Sequence, residues 1–234
     1  CGARFDYYYY RRASSCMSEQ KPLLHNYFRS STSIRLRAAL NYKGFDYDYV
    51  AHNLRTNENF KPEYLAKNPA GLVPALELVD GTVLTQSLAI IEWLEETHPN
   101  PPLLPLDPLG RAQVRAMAYM IACEIHPLNN LRVLDQVRSY GQDEEGVTAW
   151  FHKWVHTTFT PLEQMLATSP NTGKYCYGDT PTMADVCLFA QMFNNQRFKV
   201  DTSAYPTLER IFAALNQLES FQQAAPAKQP DAVA

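Results

Sequence analysis

The sequence has no cysteine framework. Cys1, Cys16, Cys123, Cys176 and Cys187 are an odd set of five without a single Cys-x-x-Cys pair, so neither a disulfide scaffold nor a zinc site has its spacing. Buried or incidental thiols in a reducing compartment suit this usage. An excess of basic charge is also missing. The chain has 21 Lys and Arg against 24 Asp and Glu, a formal net charge of −3, which speaks against bulk nucleic-acid binding. No uninterrupted apolar run approaches the length of a membrane span, no apolar stretch precedes a signal cleavage site, and no internal repeat is visible. These absences predict a soluble, cytoplasmic protein without metal, nucleic-acid or membrane partners. A small anionic ligand would still need only a few clustered arginines.

What is present is enough for a large core: 234 residues with 46% apolar content, one or two domains. Residues 1–20 read as a mobile leader, foreign to the rest. The run Tyr7-Tyr8-Tyr9-Tyr10 before Arg11-Arg12 has no period, and a functional tyrosine-rich arm is the alternative. A strand over 23–28 then passes into a helix with Leu36, Ala39 and Leu40 on one face, fading at Lys43-Gly44. A second strand is predicted over 47–50 and a short helix over 60–67, stopped by Asn68-Pro69. A strand over 72–78 turns at Asp80-Gly81 into a returning strand over 82–85. Ser87 caps a helix to about residue 97. This βαβ–ββα order suggests an α/β sandwich of thioredoxin type over 21–98.

The five prolines between residues 98 and 108 mark a stiff linker over 99–108. Beyond them an all-α domain is predicted over 109–226, and a tail over 227–234, fraying from Pro226. One long helix over 111–140 would be kinked by Pro127. Helices over 147–167, 186–193, 206–215 and 218–224 follow, the second opened by a capping box in Thr182-Met183-Ala184-Asp185.

Four places carry chemistry beyond these elements. Ser30-Ser31-Thr32-Ser33 is more hydroxyl than one helix cap needs, and Arg29, Arg35 and Arg37 crowd the same turn. A helix start favours anions, thiolates included, so the turn is either a cap with a solvated basic face or a thiol-activating site. Val73-Pro74 is either a plain strand-opening proline or a cis turn that presents the Val73 backbone to an extended ligand. Gln86-Ser87 is either a simple cap or a carboxylate receptor, with Glu92, Glu95 and Glu96 a solvated face beyond it. His126-Pro127-Leu128-Asn129-Asn130-Leu131-Arg132 places amides and an arginine at the kink, either satisfying the helix or facing a ligand. Arg197 ends an apolar helix, where stabilising its negative end is the plainer role.

Together these residues resemble a family. Ser30-Ser31-Thr32-Ser33-Ile34-Arg35-Leu36-Arg37 is similar to the Ser-Ser-Cys-x-x-Arg-x-Arg signature of zeta-class glutathione transferases. The similarity continues through Val73-Pro74, Gln86-Ser87, the 126–132 segment, Gly178-Asp179-Thr180-Pro181 and Arg197-Phe198, covering about residues 21–231. The resemblance implies a homodimer, glutathione as cofactor and a small dicarboxylate as substrate. It implies that Ser30 or Ser31 donates to the glutathione sulfur, that Val73 and Pro74 pair with its cysteinyl backbone, and that Gln86 and Ser87 hold its γ-glutamyl end. Thr32, Ser33, Arg35, Asn59, His126, Asn130, Leu131 and Arg132 would complete the glutathione site, with Arg29, Arg132 and Arg197 holding substrate carboxylates.

The implied activity is cis–trans isomerisation of maleylacetoacetate to fumarylacetoacetate, in which reversible thiolate addition leaves a single bond free to rotate. Maleylpyruvate isomerisation, glutathione transfer to α-haloacids or other electrophiles, and a non-enzymatic interaction domain are the alternatives. Thr32 departs from the signature cysteine and removes any protein thiol from that place.

Overall fold

The computed structural model describes residues 20–232; the tetra-tyrosine run, Cys1 and Cys16 lie outside them. Four strands, β1 (Leu23–Asn26), β2 (Asp48–Ala51), β3 (Ala75–Glu77) and β4 (Val83–Thr85), form one sheet in the order β2-β1-β3-β4. β1 and β2 run parallel, with Leu24 beside Tyr49, while β1–β3 and β3–β4 are antiparallel. The parallel pair needs a crossover, which α1 (Ser31–Tyr42) supplies. The short α2 (Pro62–Leu65) precedes β3, and α3 (Ser87–Thr97) follows β4. Leu24, Ile34, Leu40, Leu76, Ile90 and Leu94 pack between sheet and helices.

Three local expectations change. β1 stops at Asn26 because the next backbone groups are taken elsewhere: the Tyr27 N–H donates to Ser33 Oγ (3.3 Å), and the Tyr27 carbonyl accepts from the Ser30 N–H (3.1 Å). Gln86 stands at the start of α3 with a positive φ of 67° and makes no side-chain cap bond, and Ser87 is already inside the helix. A residue with helical backbone cannot swing its hydroxyl over the first free amides. Glu95 is no part of a solvated face. It is buried, 2.7 Å from Lys43 Nζ, and accepts the N–H groups of Leu103 and Leu104. Glu92 pairs with Arg115, and only Glu96 of the three is exposed.

The rest is helical: α4 (Pro108–Tyr119), α5 (Leu131–Ser139), α6 (Glu144–Thr168), α7 (Met183–Arg197), α8 (Pro206–Leu215) and α9 (Glu219–Ala224). The single kinked helix expected over 111–140 is two helices. α4 passes through a π-helical stretch, Met120–Ile125, and the chain breaks around Pro127 before α5. Proline supplies no N–H to continue the ladder. Asn130 then opens a new helix, its side-chain oxygen accepting the Arg132 N–H (3.2 Å). The break is moored to α6 by Trp150 Nε1 on the Leu128 carbonyl and Asn129 Nδ2 on the Phe151 carbonyl.

α7 runs through the middle of the helical part and packs on α1, α4 and α8. Its expected capping box is present, with the Asp185 carboxylate accepting from both the Thr182 N–H and hydroxyl. As far as Ala232 the tail is held rather than frayed. A 3-10 turn at Pro226–Lys228 leads to Asp231, which is hydrogen-bonded to the sheet side of the molecule. No helix among the described residues is long and apolar enough to cross a membrane.

Candidate active site

The turn between β1 and α1 stands opposite the break between α4 and α5, and a cavity of about 230 Å³ lies between them. Its walls are Tyr27 and residues 29–32, the loop after β2 (Leu54, Arg55, Asn57, Asn59, Phe60), residues 71–73, the α4–α5 break with Asp135, and the end of α7. Each wall follows from local chemistry. Ser30 has extended backbone and caps α1, its Oγ accepting the Ser33 N–H (3.4 Å). Asn57 takes a left-handed φ of 58° where the β2 loop turns back. Val73–Pro74 is cis, as one of its two readings required.

Hydroxyls on the turn form a directed chain. Thr32 Oγ1 donates to the Val73 carbonyl (2.9 Å), so its contact with Ser30 Oγ (2.8 Å) uses the Ser30 proton. Ser31 Oγ lies 2.9 Å from His126 Nδ1. Burial first, and then the positive charges of Arg35 and Arg132, push His126 down to about 3, so this imidazole is neutral at neutral pH.

Arg29, Arg55, Arg132 and Arg197 all line the cavity, and none is in an ion pair among the described residues. Asp135, a carboxylate on the same wall, is held by Arg138 at 2.8 Å. Arg29 stacks over the Phe28 and Tyr27 rings (5.4 and 5.7 Å), and Arg197 over Phe198 (5.0 Å). Arg197 titrates below its ordinary value, through burial and then the charge of Arg29 and Arg55. Unpaired guanidiniums beside a hydroxyl-bearing helix start make a receptor for a small polyanion.

The structure brings together Arg29, Ser30, Ser31, Thr32, Asn59, Val73, His126, Asn130, Leu131, Arg132 and Arg197. It does not bring in Ser33, whose Oγ is buried under Tyr27, or Arg35, which is buried behind the turn beside Cys187. From Ser33 to Leu40 α1 is buried on every side, so both side chains end inside the protein rather than in the cavity. Pro74, Gln86 and Ser87 also lie outside the cavity wall. Asn129, one of the two amides of the kink, lines it too, and Arg55 and Phe60 line it although nothing in the motifs pointed to them. Arg55 signals itself only as one cation in a polar loop.

Residues 24–102 match the family described as Glutathione S-transferase, N-terminal domain, and residues 136–223 match Glutathione S-transferase, C-terminal domain. The maleylacetoacetate isomerase of Rattus norvegicus is 48% identical over 217 residues, 92% of this chain and 97% of that protein. A holo structure described as maleyl pyruvate isomerase, a bacterial glutathione S-transferase in zeta class, superposes with a TM-score of 0.88 at 47% identity, covering 90% of this chain and all of the other. A maleylacetoacetate isomerase from Methylobacterium extorquens AM1, solved with malonate and glutathione bound, gives a TM-score of 0.87 at 39% identity over 91% of this chain.

Proposed function

The chain belongs to the glutathione S-transferase family, in its zeta class, and on that premise we propose that it isomerises maleylacetoacetate to fumarylacetoacetate with glutathione as cofactor. The observation that carries the reading is the cavity in which four arginines, without ion pairs among the described residues, face a hydroxyl-bearing helix start.

The residues fit glutathione. The Val73 N–H has no hydrogen-bond partner among the described residues, so it is available to an extended peptide backbone. β3–β4 pairing sets Thr85 beside Ala75, which carries Gln86 and the start of α3 close to Pro74. Gln86 and Ser87 would take the γ-glutamyl end there, with Asn59, Asn130, Leu131 and Arg132 around the remainder. When bound, glutathione supplies the thiolate whose reversible addition frees the substrate's double bond to rotate.

The chain does the rest. Ser31 and the positive end of α1 stabilise negative charge at the sulfur, and Ser30 joins them by turning its proton from Thr32 toward it. Neutral His126 orients the Ser31 hydroxyl and takes no proton from it at neutral pH. Arg29, Arg197 and Arg132 hold the two carboxylates, and their fixed charge stabilises negative charge that spreads onto the substrate's carbonyl as the bond order falls. Thr32 is committed to the Val73 carbonyl and has no nucleophilic part, which fits its standing where the family signature has cysteine. Maleylpyruvate, another cis-ene dicarboxylate, is the second candidate substrate, and a homodimer in the cytoplasm belongs to the same proposal.

The test is direct. Purified protein is given each substrate with and without glutathione, and loss of the cis isomer is followed. Glutathione-dependent isomerisation of either is expected; none of either overturns the proposal. Ser30→Ala and Ser31→Ala separate the two hydroxyls, because the one that serves the sulfur lowers kcat by about 10²-fold or more when removed.

A further inference from the structure

The segment after α9 looks at first like a spent end of chain, yet it is built into the back of the active-site turn. Asp231 Oδ2 accepts the Phe28 N–H at 3.1 Å, across 203 positions of sequence, and its other oxygen accepts the Tyr49 hydroxyl. The strap is pinned upstream by Gln229, whose side-chain amide donates to the Gln223 and Ala225 carbonyls (2.7 and 2.9 Å). Ala232 packs beside the cluster of Tyr27, Phe28 and Tyr64.

Arg37 completes the arrangement from below. It is fully buried and donates to the Phe28 carbonyl (2.7 Å), the Tyr27 carbonyl (3.4 Å) and Asn26 Oδ1 (2.7 Å), as well as to the Ala224 carbonyl at the end of α9. Both N–H groups and both carbonyls of the Tyr27–Phe28 pair are therefore held. The same two rings carry the Arg29 guanidinium on their faces.

We propose that Asp231 is a positioning residue for substrate binding: by holding the Phe28 N–H, the C-terminal strap fixes the aromatic bed on which Arg29 is aimed into the cavity. The inference rests on the reading of Arg29 as a substrate-carboxylate contact. A displacement of about an ångström at such a contact is enough to cost one to two orders of magnitude in efficiency. No residue of the strap lines the cavity, so its effect reaches the substrate through the Tyr27–Phe28 bed and Arg29.

Steady-state kinetics of Arg29→Ala, Asp231→Ala, Asp231→Asn and Tyr49→Phe test it, together with calorimetric glutathione binding and thermal unfolding of each. Asp231→Ala is expected to raise KM for the dicarboxylate substrate on the order of tenfold, as Arg29→Ala does, while the Kd for glutathione moves less than about twofold. Asp231→Asn keeps an oxygen acceptor for the Phe28 N–H and is expected to restore most of the lost KM, although it removes the same charge. Tyr49→Phe loses a strap contact without freeing Phe28, so Tm falls and KM stays. An Asn variant no better than Ala, or a loss in glutathione affinity equal to that in substrate KM, overturns the inference, since either pattern is that of general destabilisation. Arg29→Ala with an unchanged KM overturns the reading of Arg29 and the inference with it; a raised KM in Arg29→Ala beside an unchanged KM in Asp231→Ala overturns the inference alone.

Discussion

His52 and His126 are held neutral at neutral pH chiefly by desolvation. Burial, then His25, brings His52 down to about 4, while burial, then Arg35 and Arg132, brings His126 down to about 3. Both values lie below the ordinary 6.5, so the unfolded chain binds protons that the folded chain refuses. Stability is expected to be whole above about pH 6.5 and to fall as the pH drops toward 4. Urea midpoints measured at pH 7.5 and 5 should show the loss, and His52→Gln should shrink it; an unchanged pH dependence would count against the assignment. Arg55 makes a second prediction at this scale. As an unpaired cation on the cavity wall, Arg55→Gln should raise KM for the dicarboxylate several-fold with kcat little changed, because it removes charge attraction and no hydroxyl chemistry.

Among the elements, α7 is anchored at its start by one side chain. The Asp185 carboxylate accepts from the Thr182 N–H (2.8 Å), the Thr182 hydroxyl (2.6 Å) and the Cys176 N–H (2.9 Å) at a fully buried site. Desolvation raises its pKa and these bonds oppose the rise. Asp185→Ala would strand three buried donors at once and should cost on the order of 3 kcal/mol or more, read as a lower denaturation midpoint, with Asp185→Asn intermediate. The capping box was legible because its spacing is local. The α4–α5 break was only half legible: Pro127 announces a disturbance, but whether a helix bends or restarts depends on Asn130 as a cap and on the mooring by Trp150 and Asn129.

At the scale of the molecule, a buried ion pair ties the proline-rich connection to the sheet side. Lys43 Nζ meets Glu95 at 2.7 Å and also donates to the His98 and Pro101 carbonyls, while Glu95 accepts from Leu103 and Leu104. Lys43→Met alone should lower stability by about 3–5 kcal/mol, since it leaves a buried carboxylate without its cation; Lys43→Met with Glu95→Leu should recover part of that loss, although two N–H groups stay unpaired. Charge is distributed unevenly over the whole. A chain of net charge −3 directs four arginines at one cavity. KM for the dicarboxylate should therefore rise between 0.05 and about 0.3 M salt while kcat stays level, and a salt-independent KM would argue against carboxylate capture by these groups.

The sequence alone determined what acts within a few residues: alternation of strands and helices, the hydroxyl-bearing helix start, the Asp185 cap, the proline-rich connection and the signature that marks the family. Such features are set by backbone dihedrals and by bonds closed inside one turn, so spacing is sufficient to read them. Tertiary structure decided which groups meet. It buried Ser33 and Arg35 behind the turn, took Glu95 from solvent to Lys43, brought Arg55 into the cavity and set Asp231 against Phe28. Those pairings depend on distances through space between segments far apart in the chain, and no local pattern carries that distance.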